Sequence, residues 1–125
     1  MTTPLNDPAD GLASAACEPC RVGAPELSVG EITSLLKQLP GWHLAERENI
    51  RRISREFAFP DFVQAMAFAV AVGELAEREG HHPELHVSWG QVVVETWTHK
   101  IKGLHQNDFI LAAKTDAVYA SSAKS

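Results

Sequence analysis

At 125 residues and 13.6 kDa the chain has room for one domain built on one core. It is 45% hydrophobic and 22% charged, ordinary for a globular protein, and its net charge of -5 argues against a general nucleic-acid binder, which needs a basic face. No apolar run approaches the ~18 residues of a membrane span, and the N-terminus lacks the basic-then-apolar pattern of a secretory signal, so the expected setting is the cytoplasm.

Residues 1–25 are rich in Ala, Pro, Asp and Gly and carry few large apolar groups, so they read as a flexible N-terminal arm. Within them Cys17-Glu18-Pro19-Cys20 is a lone C-x-x-C. A zinc site needs four ligands and there is no second such pair, while a redox motif would end a strand and open a helix. A non-catalytic pair is the expectation.

Order is expected from Ser28, where Ser28-Val29-Gly30-Glu31 has the capping-box pattern. Ile32, Leu35, Leu36 and Leu39 follow at helical spacing until Pro40-Gly41 stops the run. Trp42–Ala45 and Ile50–Phe59 read as two strands joined by a turn in Glu46–Asn49, with Arg55 interrupting the apolar face of the second. Pro60-Asp61 opens the longest helix, Phe62 to about Glu79, whose central Ala65–Val72 is apolar all round and suggests a subunit interface. Gly80 and Pro83 end it. Leu85–Trp89 and Gln91–His99 form a second hairpin around Gly90, and a last helix runs from about Gln106 to Ser121. The order α-β-β-α-β-β-α predicts a two-layer α+β domain over 26–121, with a short tail at 122–125. Its four-stranded, mainly antiparallel sheet would carry the helices on one face.

The polar marks concentrate in Glu77–Asp108. Glu77 and His81 are four apart, which on a regular last helical turn stacks carboxylate against imidazole. Gly80 and Pro83 account for the helix stop, but neither explains His81 and His82 in succession. His99 ends a strand and Asp108 lies in the first turn of the last helix, where an acid complements the dipole. Singly, each has an adequate structural use. Together, three histidines and two acids would make a proton-transfer site.

The spacing Glu77-x3-His81-His82-Pro83-x5-Trp89-x9-His99-x8-Asp108 resembles the signature of the pterin-4a-carbinolamine dehydratase family. Thr98-His99, Gly103-Leu104 and Asn107-Asp108-Phe109-Ile110-Leu111-Ala112-Ala113 extend the likeness over roughly residues 26–120, and the cysteine-bearing lead is similar to that of some bacterial members. Leu85 stands where animal members often have an aromatic residue. The resemblance implies the family fold and a hydro-lyase that converts 4a-hydroxytetrahydropterin to quinonoid dihydropterin, within tetrahydrobiopterin recycling for an aromatic amino-acid hydroxylase. It implies His81, His82 and His99 as catalytic residues, with Glu77, Pro83, Trp89 and Asp108 supporting or binding substrate. His81 and His99 would exchange protons at the 4a centre, His82 would hold the substrate, Glu77 would orient His81, and Asp108 would organise the His99 side. The reaction asks for acid–base groups alone, so neither cofactor nor metal is expected. A metal-dependent reading competes through the number of histidines, but His-Glu-x-x-His is absent and Pro83 spoils a helical His82/His86 pair. The other rival is a protein-binding module, because some members act as dimerisation cofactors of a transcription factor. Family analogy implies a homodimer or homotetramer.

Overall fold

The computed structural model describes residues 12–15, 17 and 25–123. Helix α1 (Val29–Leu36) begins at the expected capping box: Glu31 N donates to Ser28 Oγ and Ser28 N donates to Glu31 Oε1. Strands β1 (His43–Arg47) and β2 (Ile50–Ala58) meet through Glu48-Asn49, both at positive φ (56° and 65°), as a tight two-residue hairpin turn requires. Helix α2 (Phe62–Glu79) is capped by the Asp61 side chain, which accepts from Gln64 N, and ends at Gly80 with φ 67°. That left-handed cap is where a Cβ would be strained. Strands β3 (Glu84–Ser88) and β4 (Gln91–Thr96) make the second hairpin, and α3 (Gln106–Ala123) closes the chain order.

All strand pairs are antiparallel, in the order β1-β2-β4-β3. The α+β expectation is met, with the helices covering one face. Ile53 and Phe57 of β2, Val92 and Val94 of β4, and Phe68, Val72 and Phe109 from the helices are essentially inaccessible. Each such side chain contributes roughly 1.5–3 kcal/mol by leaving water. Arg55 does point to this apolar face, but at its margin. It donates to Asp116 Oδ1 at 2.8 Å, lies over the Phe57 ring, and shares Asp116 with the Trp42 indole N–H. Burial pushes the Asp116 carboxyl up, against the two donors, which pull it down.

Three expectations change. β4 ends at Thr96, not His99, because Thr98 leaves the sheet to bridge Gly103 and close a small loop around a 3-10 turn, His99–Ile101. The apolar centre of α2 is two-sided as expected, yet Ala65, Phe68, Ala69 and Val72 are buried within this chain, while Phe62, Val63, Met66 and Val70 are exposed. In the N-terminal lead Leu12 is only 6% exposed, and Ala13, Ala15 and Cys17 pack against the same core. Those described residues are therefore docked, not free. Cys20 and the rest of 1–24 lie outside the described residues. Among the described residues no helix is long and apolar enough to cross a membrane.

Candidate active site

The end of α2, the 3-10 turn and the start of α3 converge on a cavity of about 460 Å³ lined by Cys17, Glu79, Gly80, His81, His82, Trp97, Thr98, His99, Lys100 and Asn107. The three histidines expected from the sequence thus all line this cavity.

Behind them lies Asp108, with no solvent exposure. Its Oδ1 accepts from Thr96 Oγ1 at 2.7 Å and faces His81 Nε2 at 2.6 Å, while Oδ2 accepts from Thr98 Oγ1 at 2.8 Å and His105 N at 3.0 Å. A carboxylate ringed by donors is itself an acceptor, so His81 Nε2 carries the shared proton and Nδ1 is left for exchange. The last of these bonds is also half of a capping box for α3, in which His105 Nδ1 accepts from Asn107 N. The sequence-level use of Asp108 as a helix-terminal acid and its place behind a histidine are both realised.

Two pairings differ from expectation. Glu77 faces His82 Nε2 at 2.6 Å rather than His81, and this pair is largely exposed. The i,i+4 rule assumes a continuing helix, but the chain turns at Gly80, where His81 N donates to Ala76 O. Asp108 is therefore the partner of His81, and it reaches the His99 side only through Thr98. Trp89 is also displaced. It sits on the β3–β4 turn at 70% exposure and does not line the cavity, and neither does Pro83. The aromatic wall is Trp97, whose ring stacks on His99 with centroids 4.5 Å apart and planes 7° apart. Trp97 and His99 are two residues apart, so alternation along a strand over Gln91–His99 sets them on one face.

Glu79 carries no motif in the sequence, and Cys17 reads there only as half of a non-catalytic pair, yet both line the cavity. Cys17 N donates to Glu79 Oε1 at 2.9 Å, and Lys114 Nζ lies 3.3 Å from Glu79 Oε2. Burial alone would raise the Glu79 carboxyl, but the Cys17 amide and the Lys114 ammonium outweigh it and hold it below the usual range. Burial, reinforced by the Glu79 charge, pushes the Cys17 thiol up to about 12. It therefore stays protonated near neutral pH, unlike a nucleophilic or metal-binding thiolate. The described His, Cys, Asp and Glu groups close enough to share an ion are Glu84, His86 and Glu95, none of which lines the cavity. Of these, Glu95 is already paired with Arg47 and Arg52.

Comparison with known proteins identifies the family and the fold. The family model described as pterin 4 alpha carbinolamine dehydratase matches residues 25–118. A Saccharophagus degradans protein provisionally named pterin-4-alpha-carbinolamine dehydratase is 48% identical over 108 residues, 86% of this chain and 96% of the relative. One of the same provisional name from Syntrophotalea carbinolica is 50% identical over 107 residues, again 86% and 96%. A crystal structure titled transcriptional coactivator/pterin dehydratase, from Brucella melitensis, superposes with a TM-score of 0.68 at 31% identity over 75% of this chain and 98% of that one. The chain belongs to the pterin 4-alpha-carbinolamine dehydratase family, whose named activity is that of a hydro-lyase.

Proposed function

We propose that the protein dehydrates a 4a-hydroxytetrahydropterin to the quinonoid dihydropterin by histidine general acid–base catalysis, recycling tetrahydrobiopterin for an aromatic amino-acid hydroxylase in the cytoplasm. The observation that carries this reading is the placement of His81, backed by buried Asp108, and His99 on one cavity. The volume of about 460 Å³ falls in the ~300–1,000 Å³ span of small-molecule sites and admits a bicyclic pterin.

In the reaction the C4a–O bond breaks, the hydroxyl takes a proton and leaves as water, and N5 loses its proton as C4a=N5 forms. No electrons are exchanged with a second reagent. One histidine must donate and another accept, a task suited to side chains that titrate near neutrality. Asp108 holds His81 in one tautomer and stabilises the positive charge it acquires. The His99 carbonyl accepts from Lys102 N, but its ring makes no hydrogen bond among the described residues, which leaves the ring nitrogens to the substrate. His82, tied to Glu77 at the rim, serves to hold the pterin.

Enzymatically generated 4a-hydroxytetrahydropterin should decay faster with this protein, and the double variant His81→Ala/His99→Ala should lose about 10²-fold or more of that acceleration while keeping its circular dichroism. Near-normal turnover in the folded double variant would refute the assignment.

A second reading, a protein-binding module, draws on the exposed apolar face of α2 and on the coactivator wording of the Brucella title. The simpler use of that face is self-association into a homodimer or homotetramer. No acceleration at any protein concentration would put the binding reading ahead.

A further inference from the structure

The sheet face turned away from the helices buries a guanidinium. Arg52 is only 4% exposed, and a buried charge is costly unless it is well paired. Its ionic partners do not account for its place. Nη1 stands 3.8 Å from Glu95 Oε1, a carboxylate that Arg47 holds more closely. Nη2 donates to Arg47 O at 3.2 Å, and Nε has no partner among the described residues.

What Arg52 does touch closely is an aromatic face. Its Cζ lies 4.0 Å from the centroid of a Trp97 ring. The sheet register dictates this: Ile53 is opposite Thr96, so the next step outward sets Arg52 against Trp97. Two residues further, past extended Thr98 (φ -95°, ψ 110°), His99 falls on the same side and stacks on the indole. With no hydrogen bond among the described residues to fix it, the His99 ring takes its plane from Trp97.

We propose that Arg52 is a positioning residue for His99: its guanidinium holds the Trp97 indole, and the indole fixes the imidazole at the cavity wall. A planar cation suits this task because it stacks on the ring while its edge still reaches Arg47 and Glu95. The kinetic consequence rests on the dehydration reading above, whereas the structural claim does not.

Proton NMR of the histidine rings in the free, full-length protein tests it, because an imidazole over an indole resonates upfield. Arg52→Met keeps the apolar stem and removes the cation, and Trp97→Leu supplies the unstacked reference position. In Arg52→Met the His99 signal is expected to move about halfway to that reference, with kcat falling roughly tenfold and KM held within about twofold. The exposed His43 signal stays in place and reports an intact fold. Arg52→Lys, which returns a cation without the planar fork, recovers part of both effects, and it carries the test should Arg52→Met not fold. An unmoved His99 signal in Arg52→Met overturns the proposal, as does a moved signal with unchanged kcat. A wild-type protein that leaves carbinolamine decay unaltered defeats the dehydration reading instead, and the NMR arm then decides the positioning claim alone.

Discussion

Four donors converge on Asp108, from Thr96, Thr98, the His105 amide and His81, in a place without solvent. Glu77, the other acid expected from the sequence, faces one exposed histidine from an exposed position of its own. The two should therefore respond very differently to removal of their charge. Asp108→Asn turns one oxygen into a donor facing hydroxyls, an amide and His81, so hydrogen bonds are lost as well as charge. We expect a loss of about 1–3 kcal/mol in urea unfolding and a fall of roughly 10²-fold in kcat. Glu77→Gln breaks only a solvent-screened pair and should change stability by less than ~1 kcal/mol, with kcat within a factor of about two. If Glu77→Gln matched Asp108→Asn in kcat, Glu77 would be the acid that governs His81.

At the scale of elements, what is encoded locally was legible and what depends on register was not. The Ser28 capping box, the Gly80 stop and the alternation of Ile53 and Phe57 are neighbour effects within a few residues, and each element formed where such signals put it. The strand expected over Gln91–His99 overruns the observed one because Thr98 exchanges its sheet partner for Gly103, a pairing that no periodicity carries. The Glu77/His81 pairing failed because the spacing rule was carried past the left-handed residue Gly80, where helical geometry no longer holds. The N-terminal lead carries no periodicity, yet its described residues dock through Leu12, with Ala13, Ala15 and Cys17 against the same core. Docking leaves a pH signature in Cys17. The folded thiol keeps its proton to about 12 against an ordinary 9.0, so the associated stability is intact below pH 9 and is lost as pH rises from there toward 12. Thermal unfolding followed from pH 7 to 10.5 should show the wild type losing more stability above pH 9 than Cys17→Ala. Parallel profiles would mean that this segment does not hold Cys17 against Glu79.

For the whole molecule, the unresolved tension lies in α2, which has more apolar surface than one chain can cover. Its inner face, Ala65, Phe68, Ala69 and Val72, is consumed by the core, so a charge at Phe68 would unfold the protein and say nothing about association. The outer positions Phe62, Val63, Met66 and Val70 are 46%, 76%, 41% and 56% exposed and recur at helical spacing. An apolar patch left in water is a cost that self-association removes, and a helix face repeated by symmetry is self-complementary. The cavity opens at the other end of this helix, at Glu79–His82, so association through the outer face leaves the histidines accessible. Met66→Glu/Val70→Glu is therefore expected to lower the mass seen by light scattering to that of one 13.6 kDa chain, while the rate of carbinolamine decay per site changes by less than about threefold. A double variant with the wild-type mass would show that the α2 face does not join subunits. A monomer that has lost its activity would show instead that a neighbouring copy completes the site.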